Sequence, residues 1–171
     1  TFTPGRYLRP GYVITSRGCP NACPWCFVPR WEGEIRELRE SGEGHIVQDN
    51  NLLACSDFHI DRVLRMLADQ KRAAVFSGGL EAERVTEKLV DRLRSVRIDE
   101  AWLAYDDGAS LPAVTRAIER LRAAGLSQQK VRCYVLAGFD LSDTPEAAAG
   151  RCQQALDMGA LPFLMLYRAM D

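Results

Sequence analysis

The 171-residue sequence lacks the features of several large classes of protein. It has no run of about 18 apolar residues, the length that a transmembrane helix requires. Its formal net charge is only −1, so composition gives no bulk electrostatic reason to bind nucleic acid or a membrane surface. It shows no signal peptide, no low-complexity segment and no repeat beyond an alternation of apolar segments. These absences predict no membrane partner and no strong nucleic-acid signal.

The composition predicts a single globular domain over residues 1–171. The chain is 47% hydrophobic and 26% charged, which supplies enough apolar material for an ordinary core. It begins at Thr1 rather than at a methionine, which leaves room for a missing upstream segment. Six cysteines in a chain of this length do not make the disulfide framework of a small secreted protein, so we expect a reducing, cytoplasmic location.

Apolar segments of two kinds alternate along the chain. Short β-branched or aromatic runs predict six strands, at residues 12–15, 45–48, 73–76, 100–105, 130–137 and 161–167. Apolar residues with helical spacing predict helices at residues 57–70, 83–96, 111–124 and 144–158. Thr144 followed by Pro145 has the pattern of a helix N-terminus. Residues 34–40 fit either a short helix or an extended edge segment.

This alternation predicts an α/β fold of parallel βαβ units. Six strands are too few for a complete eight-stranded barrel, and periodicity alone does not separate a partial barrel from a doubly wound open sheet. In both folds the site lies at the carboxyl ends of the strands. Here those ends are polar or rich in glycine, at residues 49–51, 77–81, 106–108, 138–140 and 167–168.

A cysteine motif follows the first predicted strand. Cys19, Cys23 and Cys26 stand in the pattern C-x3-C-x2-C within S-R-G-C-P-N-A-C-P-W-C-F-V, and three soft thiolates suit iron–sulfur or zinc. A closed zinc site uses four ligands, so three leave one coordination position open for chemistry. The alternative is a zinc-stabilised domain without catalysis, with Cys55 or His59 as a distant fourth ligand. Otherwise the remaining cysteines and histidines are expected to be structural: Cys55, Cys133, Cys152, His45 and His59.

The motif resembles the cluster loop of the radical S-adenosylmethionine (SAM) superfamily, including the aromatic Trp25 just before the third cysteine. The resemblance implies a partial TIM-type (β/α)6 barrel with parallel strands. It implies a [4Fe–4S] cluster on Cys19, Cys23 and Cys26, whose fourth iron binds the amino and carboxylate groups of SAM. Reductive cleavage would then give a 5′-deoxyadenosyl radical that abstracts hydrogen from a substrate, unknown here. A reductant such as flavodoxin or ferredoxin is the implied partner.

The resemblance also suggests residues that bind the SAM ammonium group. In the family a G-G-E segment after the second strand has this role, and here that strand ends in Asp49, Asn50 and Asn51 instead. A carboxylate and two amides can accept the same hydrogen bonds. A related segment, Ser77-Gly78-Gly79-Leu80-Glu81, follows the third predicted strand. Glu81 is therefore the second candidate.

Three further positions follow from the family pattern. Asp106, beside Tyr105, is expected near the ribose hydroxyls of SAM. Gly138, in V-L-A-G-F, is expected near the adenine, although the glycine pattern of the family is incomplete here. Arg168 is expected to pair with the SAM carboxylate or with substrate.

The stretches R-G-C-P-N-A-C-P-W-C-F-V-P, Q-D-N-N-L-L-A-C and F-S-G-G-L-E-A are similar to a poorly characterised bacterial and phage-associated subgroup of the superfamily. They are more distantly similar to its cobalamin-dependent and methylthiotransferase branches. The chain shown has no room for a cobalamin domain and no second cysteine cluster or RNA-binding appendage. It is therefore expected to be a core domain, either catalytic or a SAM-binding module without turnover.

Overall fold

The computed structural model describes residues 8–139 and 143–168, so Asp140 of the fifth predicted strand end lies outside the described residues. The strands are β1 (Tyr12–Val13), β2 (Ser16–Arg17), β3 (Arg36–Glu37), β4 (Ile46–Val47), β5 (Ala74–Phe76), β6 (Ile98–Ala104), β7 (Val131–Ala137) and β8 (Leu161–Leu166). The helices are α1 (Val28–Trp31), α2 (Asp57–Asp69), α3 (Glu87–Leu93), α4 (Leu111–Ala123) and α5 (Pro145–Asp157). Short 3-10 helices cover Leu52–Ala54, Ala82–Arg84 and Gly108–Ser110. None of the helices described is long and apolar enough to cross a bilayer.

Six strands form one parallel sheet in the order β1-β4-β5-β6-β7-β8. The predicted α/β class and parallel sheet are therefore confirmed. Within the described ranges the strand order follows the chain order without the reversal that defines a doubly wound sheet. All six carboxyl ends consequently lie at one edge of the sheet, where the polar segments follow them.

The helices bury one face of the sheet. Their apolar stripes join strand side chains such as Phe76, Leu103 and Val131 in one hydrophobic core. Because side chains alternate along a strand, Trp102 and Tyr134 lie on the opposite face, where they stack at 4.3 Å between ring centroids. Phe163 packs edge-on against both rings and is 54% exposed.

Side-chain caps explain where several helices begin. The Thr144 hydroxyl accepts from Ala147 N and begins α5 as the sequence predicted. The helix expected over residues 83–96 is shorter, because Thr86 caps a new helix at Glu87 after the 3-10 turn. A capping threonine is present in the sequence T-E-K-L, but apolar residues continue with helical spacing before and after it. The spacing therefore predicts one longer helix.

Two short elements lie beside the cysteine loop. Proline disfavours helix within the loop, yet α1 begins at its end with Pro29 in the first turn, where proline needs no partner for its nitrogen. Within residues 34–40, which fit either a short helix or an extended edge segment by sequence, Arg36–Glu37 is the strand β3 and pairs antiparallel with β2. This small two-stranded ribbon joins the two ends of the cysteine loop.

Candidate functional site

The cysteine loop closes on itself through backbone contacts. Cys19 N donates to Gly33 O at 3.0 Å, and Cys26 N donates to Cys23 O at 3.0 Å. Gly18 has a φ of +82°, and a Cβ there would lie 2.1 Å from Glu34 O. Only glycine fits this close approach, so the residue before the first cysteine is set by the crossing of the two ends of the loop.

Glu32 is a carboxylate that holds both ends of the loop together. It accepts from Arg17 Nη2 at 2.5 Å, from Gly18 N at 3.1 Å and from Asn50 Nδ2 at 2.9 Å. The loop is thereby attached to the segment that follows β4. The sequence offered no signal for Glu32, because its three partners meet only after the chain folds back.

The three thiols of the motif are free and partly exposed. Burial raises the pKa of Cys23, and the charges of Cys26, Cys19 and Asp106 raise it further, so these groups lie near one another. Among the residues that the structure describes, no group of three or more His, Cys, Asp or Glu side chains is arranged to hold a metal ion. Such a group would converge on one ion, whereas the thiolates of an iron–sulfur cluster are distributed among several irons.

A chain of hydrogen bonds connects Cys19 to the loop after β5. Asn51 Nδ2 donates to Cys19 Sγ at 3.5 Å and to Glu81 Oε2 at 2.7 Å. Arg84 Nε donates to the same Glu81 oxygen at 2.6 Å. Asn51 is 4% exposed, and in the described part of the chain its Oδ1 is buried without a hydrogen-bond partner. A buried acceptor beside Cys19 is therefore available to a hydrogen-bond donor.

Asp49 is placed differently from Asn51. Its buried carboxylate accepts from Thr15 N at 2.6 Å, from Thr15 Oγ1 at 2.5 Å and from Ser16 Oγ at 2.8 Å. These three bonds secure the segment between β1 and β2. Binding of the SAM ammonium by Asp49 stays a prediction, but its carboxylate already has three donors. Asn50 points to Glu32, so the three adjacent residues have three separate partners.

The loop after β5 lies against the loop after β4. A Cβ on Gly78 would meet Asp49 O at 2.1 Å, so the two backbones are in contact. Ser77 Oγ donates to Val47 O at 3.2 Å, and Ser77 O accepts from Tyr134 OH at 3.2 Å. Gly79 has a φ of +93° and open space where a Cβ would be. Both segments proposed for the SAM ammonium therefore meet, and Asn51 and Glu81 are the pair in contact.

A second group of residues extends from the cysteine loop to the ends of β6, β7 and β8. Burial raises the pKa of Asp106 to about 6, despite the opposing effect of a hydrogen bond with the Trp25 side chain. The Trp25 ring packs edge-on against Phe139 at 5.5 Å, and Phe139 packs against Tyr167 at 5.1 Å. Both aromatic partners lie in strand-end segments that the sequence predicts at the site, but their contact with each other depends on β7 and β8 lying side by side.

Three remaining positions have mixed placements. Tyr105 is buried on the helix side of the sheet, where its hydroxyl donates to Gln154 Oε1, so it does not accompany Asp106. Gly138, with a φ of +78°, donates its N–H to Asp143 Oδ2 at 2.7 Å. Arg168 follows β8 and is exposed.

The residues suggested as a fourth zinc ligand have other partners. His59 Nε2 lies 3.0 Å from Thr15 Oγ1, and His59 Nδ1 lies 3.1 Å from Arg62 Nη2. Burial raises the pKa of Cys55 to about 11, and a hydrogen bond with Ser16 opposes this effect. Both residues belong to the network around Asp49.

Comparison with protein-family models and with curated proteins found no match for this chain.

Proposed function

We propose that this chain is the core domain of a radical SAM enzyme, with its sheet as the wall of a partial (β/α)6 barrel. Cys19, Cys23 and Cys26 would hold a [4Fe–4S] cluster at the carboxyl edge of the sheet. The ordered sequence of parallel strands supports the barrel, because each crossover leads to the next strand in the same direction.

One observation carries the proposal: the Cys19–Asn51–Glu81 hydrogen-bond chain. SAM has an ammonium group, which needs hydrogen-bond acceptors and negative charge close to the cluster. Asn51 Oδ1 is a buried acceptor beside Cys19, and Glu81 adds a carboxylate 2.7 Å from Asn51 Nδ2. The acceptors therefore fit the donor that SAM would bring.

The bound cofactor would supply the one-electron chemistry that cleaves SAM to methionine and a 5′-deoxyadenosyl radical. The protein residues would bind and orient SAM and would exclude water from the site. Gly18 and Glu32 hold the loop closed, while Trp25, Phe139 and Tyr167 form an apolar cover across the strand ends. Asp106, which has a hydrogen bond with the Trp25 side chain, would bind a hydroxyl group of SAM.

Two further positions and a reductant complete the proposal. Gly138 would lie near the adenine, and Arg168 would pair with the SAM carboxylate or with an acidic group of the substrate. A low-potential reductant such as flavodoxin or ferredoxin would deliver the electron. Such a cluster with exposed thiolates requires a reducing compartment, for which we propose the cytoplasm.

The decisive experiment is anaerobic reconstitution with iron and sulfide, followed by dithionite and SAM, with 5′-deoxyadenosine quantified. We expect product from the parent protein and none from Cys23→Ala, which removes one ligand. Cys55→Ala is the matched control and should retain product. Cys55 lies outside the C-x3-C-x2-C motif and has a hydrogen bond with Ser16.

Each other outcome assigns a different function. A reducible cluster with no 5′-deoxyadenosine would support a SAM-binding module without turnover. Stoichiometric zinc without acid-labile sulfide would contradict the proposal and support a zinc-stabilised domain.

A further inference from the structure

We propose that Asn51 sets the reduction potential of the cluster and couples that potential to the ligand bound beside it. This inference rests on the proposed function, because it requires a cluster on Cys19. It adds a role that SAM binding alone does not require: a positioning residue that acts on the electron-transfer step.

The hydrogen bonds of Asn51 determine which way its amide faces. The amide nitrogen has two N–H donors and the oxygen has none. Both neighbours, Cys19 Sγ at 3.5 Å and Glu81 Oε2 at 2.7 Å, are acceptors. The reverse orientation would direct Oδ1 at a carboxylate and a thiolate, which is repulsive. The nitrogen therefore faces Cys19 and the oxygen faces away from it.

The side chain is held firmly in this place. Asn51 immediately precedes the 3-10 helix Leu52–Ala54, and Leu52 and Leu53 are both buried in the core. Glu81, the second acceptor, is held by Arg84 at 2.6 Å. The donor thus remains aimed at Cys19 whether or not a ligand is present, and little ordering is required at the time of reduction.

A hydrogen bond to a thiolate ligand changes the potential in a known direction. One-electron reduction adds a negative charge to the cluster, and part of that charge lies on the sulfur atoms. An N–H donor stabilises the more negative state more strongly, so the bond raises the reduction potential. Removing it should make the potential more negative.

The same amide transmits the presence of a cation. A donor bound at Oδ1, such as the ammonium group of SAM, polarises the amide and strengthens its N–H···S bond. Binding at Oδ1 and reduction of the cluster then favour each other, and the coupling is reciprocal. Asn51 would make the cluster easier to reduce when the ligand is in place.

The test compares Asn51→Ala and the uncharged, near-isosteric Asn51→Leu with the matched control Gln48→Ala in the full chain. Gln48 carries the same amide group and precedes the same loop, but its side chain is exposed. After anaerobic reconstitution, iron and sulfide content is determined, and the midpoint potential is measured by titration followed by electron paramagnetic resonance. Each titration is repeated with S-adenosylhomocysteine, which carries the ammonium group but is not cleaved.

We expect a more negative potential in both Asn51→Ala and Asn51→Leu, because each removes the N–H donor without adding a charge. Gln48→Ala should keep the parent potential. The change that S-adenosylhomocysteine causes should be smaller in Asn51→Ala than in the parent. If Asn51→Ala does not assemble a cluster, Asn51→Leu, which fills nearly the same space, decides the direction.

Equal potentials in parent and Asn51 variants with equal cluster content would overturn this inference while leaving the proposed function intact. So would a Gln48→Ala shift as large as that of Asn51→Ala, because the effect would then not depend on the Asn51 hydrogen bond. Absence of a cluster in the parent would overturn the proposed function and this inference together.

Discussion

At the scale of single residues, chemical type alone does not assign roles within the segment Asp49–Asn51. Asp49 is the stronger acceptor for an ammonium group, yet its carboxylate is buried against three donors from Thr15 and Ser16. Asn51 has the acceptor with no partner among the described residues, and it is the one beside Cys19. Burial and partners, rather than charge, therefore select the candidate.

His59 is the residue whose ionisation should affect stability. Burial lowers its pKa, and the charge of Arg62 lowers it further, while Glu37 and Asp49 oppose these effects. With a pKa below the unfolded value of about 6.5, folded His59 binds its proton less readily than the unfolded chain does. Stability from this source is present above that pH and is lost as the pH falls through and below it.

We predict that His59→Gln, whose amide can accept from Arg62 and donate to Thr15, flattens this pH dependence. The free energy of unfolding of the parent should fall by up to about 1.4 kcal/mol per pH unit below about pH 6.5 from this group. Urea denaturation of the metal-free parent and of the metal-free variant at pH 7.5 and 5.5 measures the change in the free energy of unfolding of each. Parallel changes in parent and variant would show that His59 is not the source.

At the scale of elements, the helices and strands form largely where the sequence predicts them, whereas the loops bring the site together. The β2–β3 ribbon and α1 enclose the cysteine loop, and neither had a clear local signal. The loops after β4 and β5 are in backbone contact at Gly78, and that contact brings Asn51 to Glu81.

Replacement of Gly78 by alanine should separate these two loops. The added Cβ would meet Asp49 O at 2.1 Å and Asp49 N at 3.0 Å, both backbone atoms that have no easy way to move. We predict a loss of about 1–3 kcal/mol in the free energy of unfolding, measured by urea denaturation.

Gly42→Ala is the matched control, because nothing lies within 4 Å of a Cβ there. It should change stability by less than about 0.5 kcal/mol. Equal losses in the two glycine variants would contradict the contact between the loops.

At the scale of the whole molecule, β8 is an edge strand with large apolar side chains exposed on both faces. Phe163 and Leu164 are 54% and 56% exposed, and Leu166 is 71% exposed. An exposed apolar edge offers unpaired backbone groups to another chain. We therefore expect concentration-dependent self-association of the chain through β8.

We predict that Leu164→Glu weakens this association without lowering stability by more than about 0.5 kcal/mol, since the side chain is exposed. Sedimentation velocity over a range of concentrations measures it. Phe58→Glu, on exposed Phe58 of α2, adds the same charge away from the edge. An equal effect of both variants would attribute the change to net charge rather than to β8.

The sequence by itself determined the local features. Apolar periodicity located the six sheet strands and α2, α4 and α5, because burial of one face imposes a spacing that is visible in the chain. The Thr144 cap was visible because a cap depends only on a neighbour three residues away, here Ala147. The C-x3-C-x2-C motif was equally local, as its three cysteines lie within eight positions, from Cys19 to Cys26.

Only the tertiary structure decided which residues meet. Asn51 is 32 positions from Cys19 and 30 positions from Glu81 in the sequence. No periodicity specifies contacts over such separations. The separate placements of Asp49, Asn50 and Asn51 depend on how strands β1, β4 and β5 align at their carboxyl ends. The sequence determines the chemistry of each side chain. Whether that side chain is available to a ligand depends on the hydrogen-bond partners that the fold has already supplied.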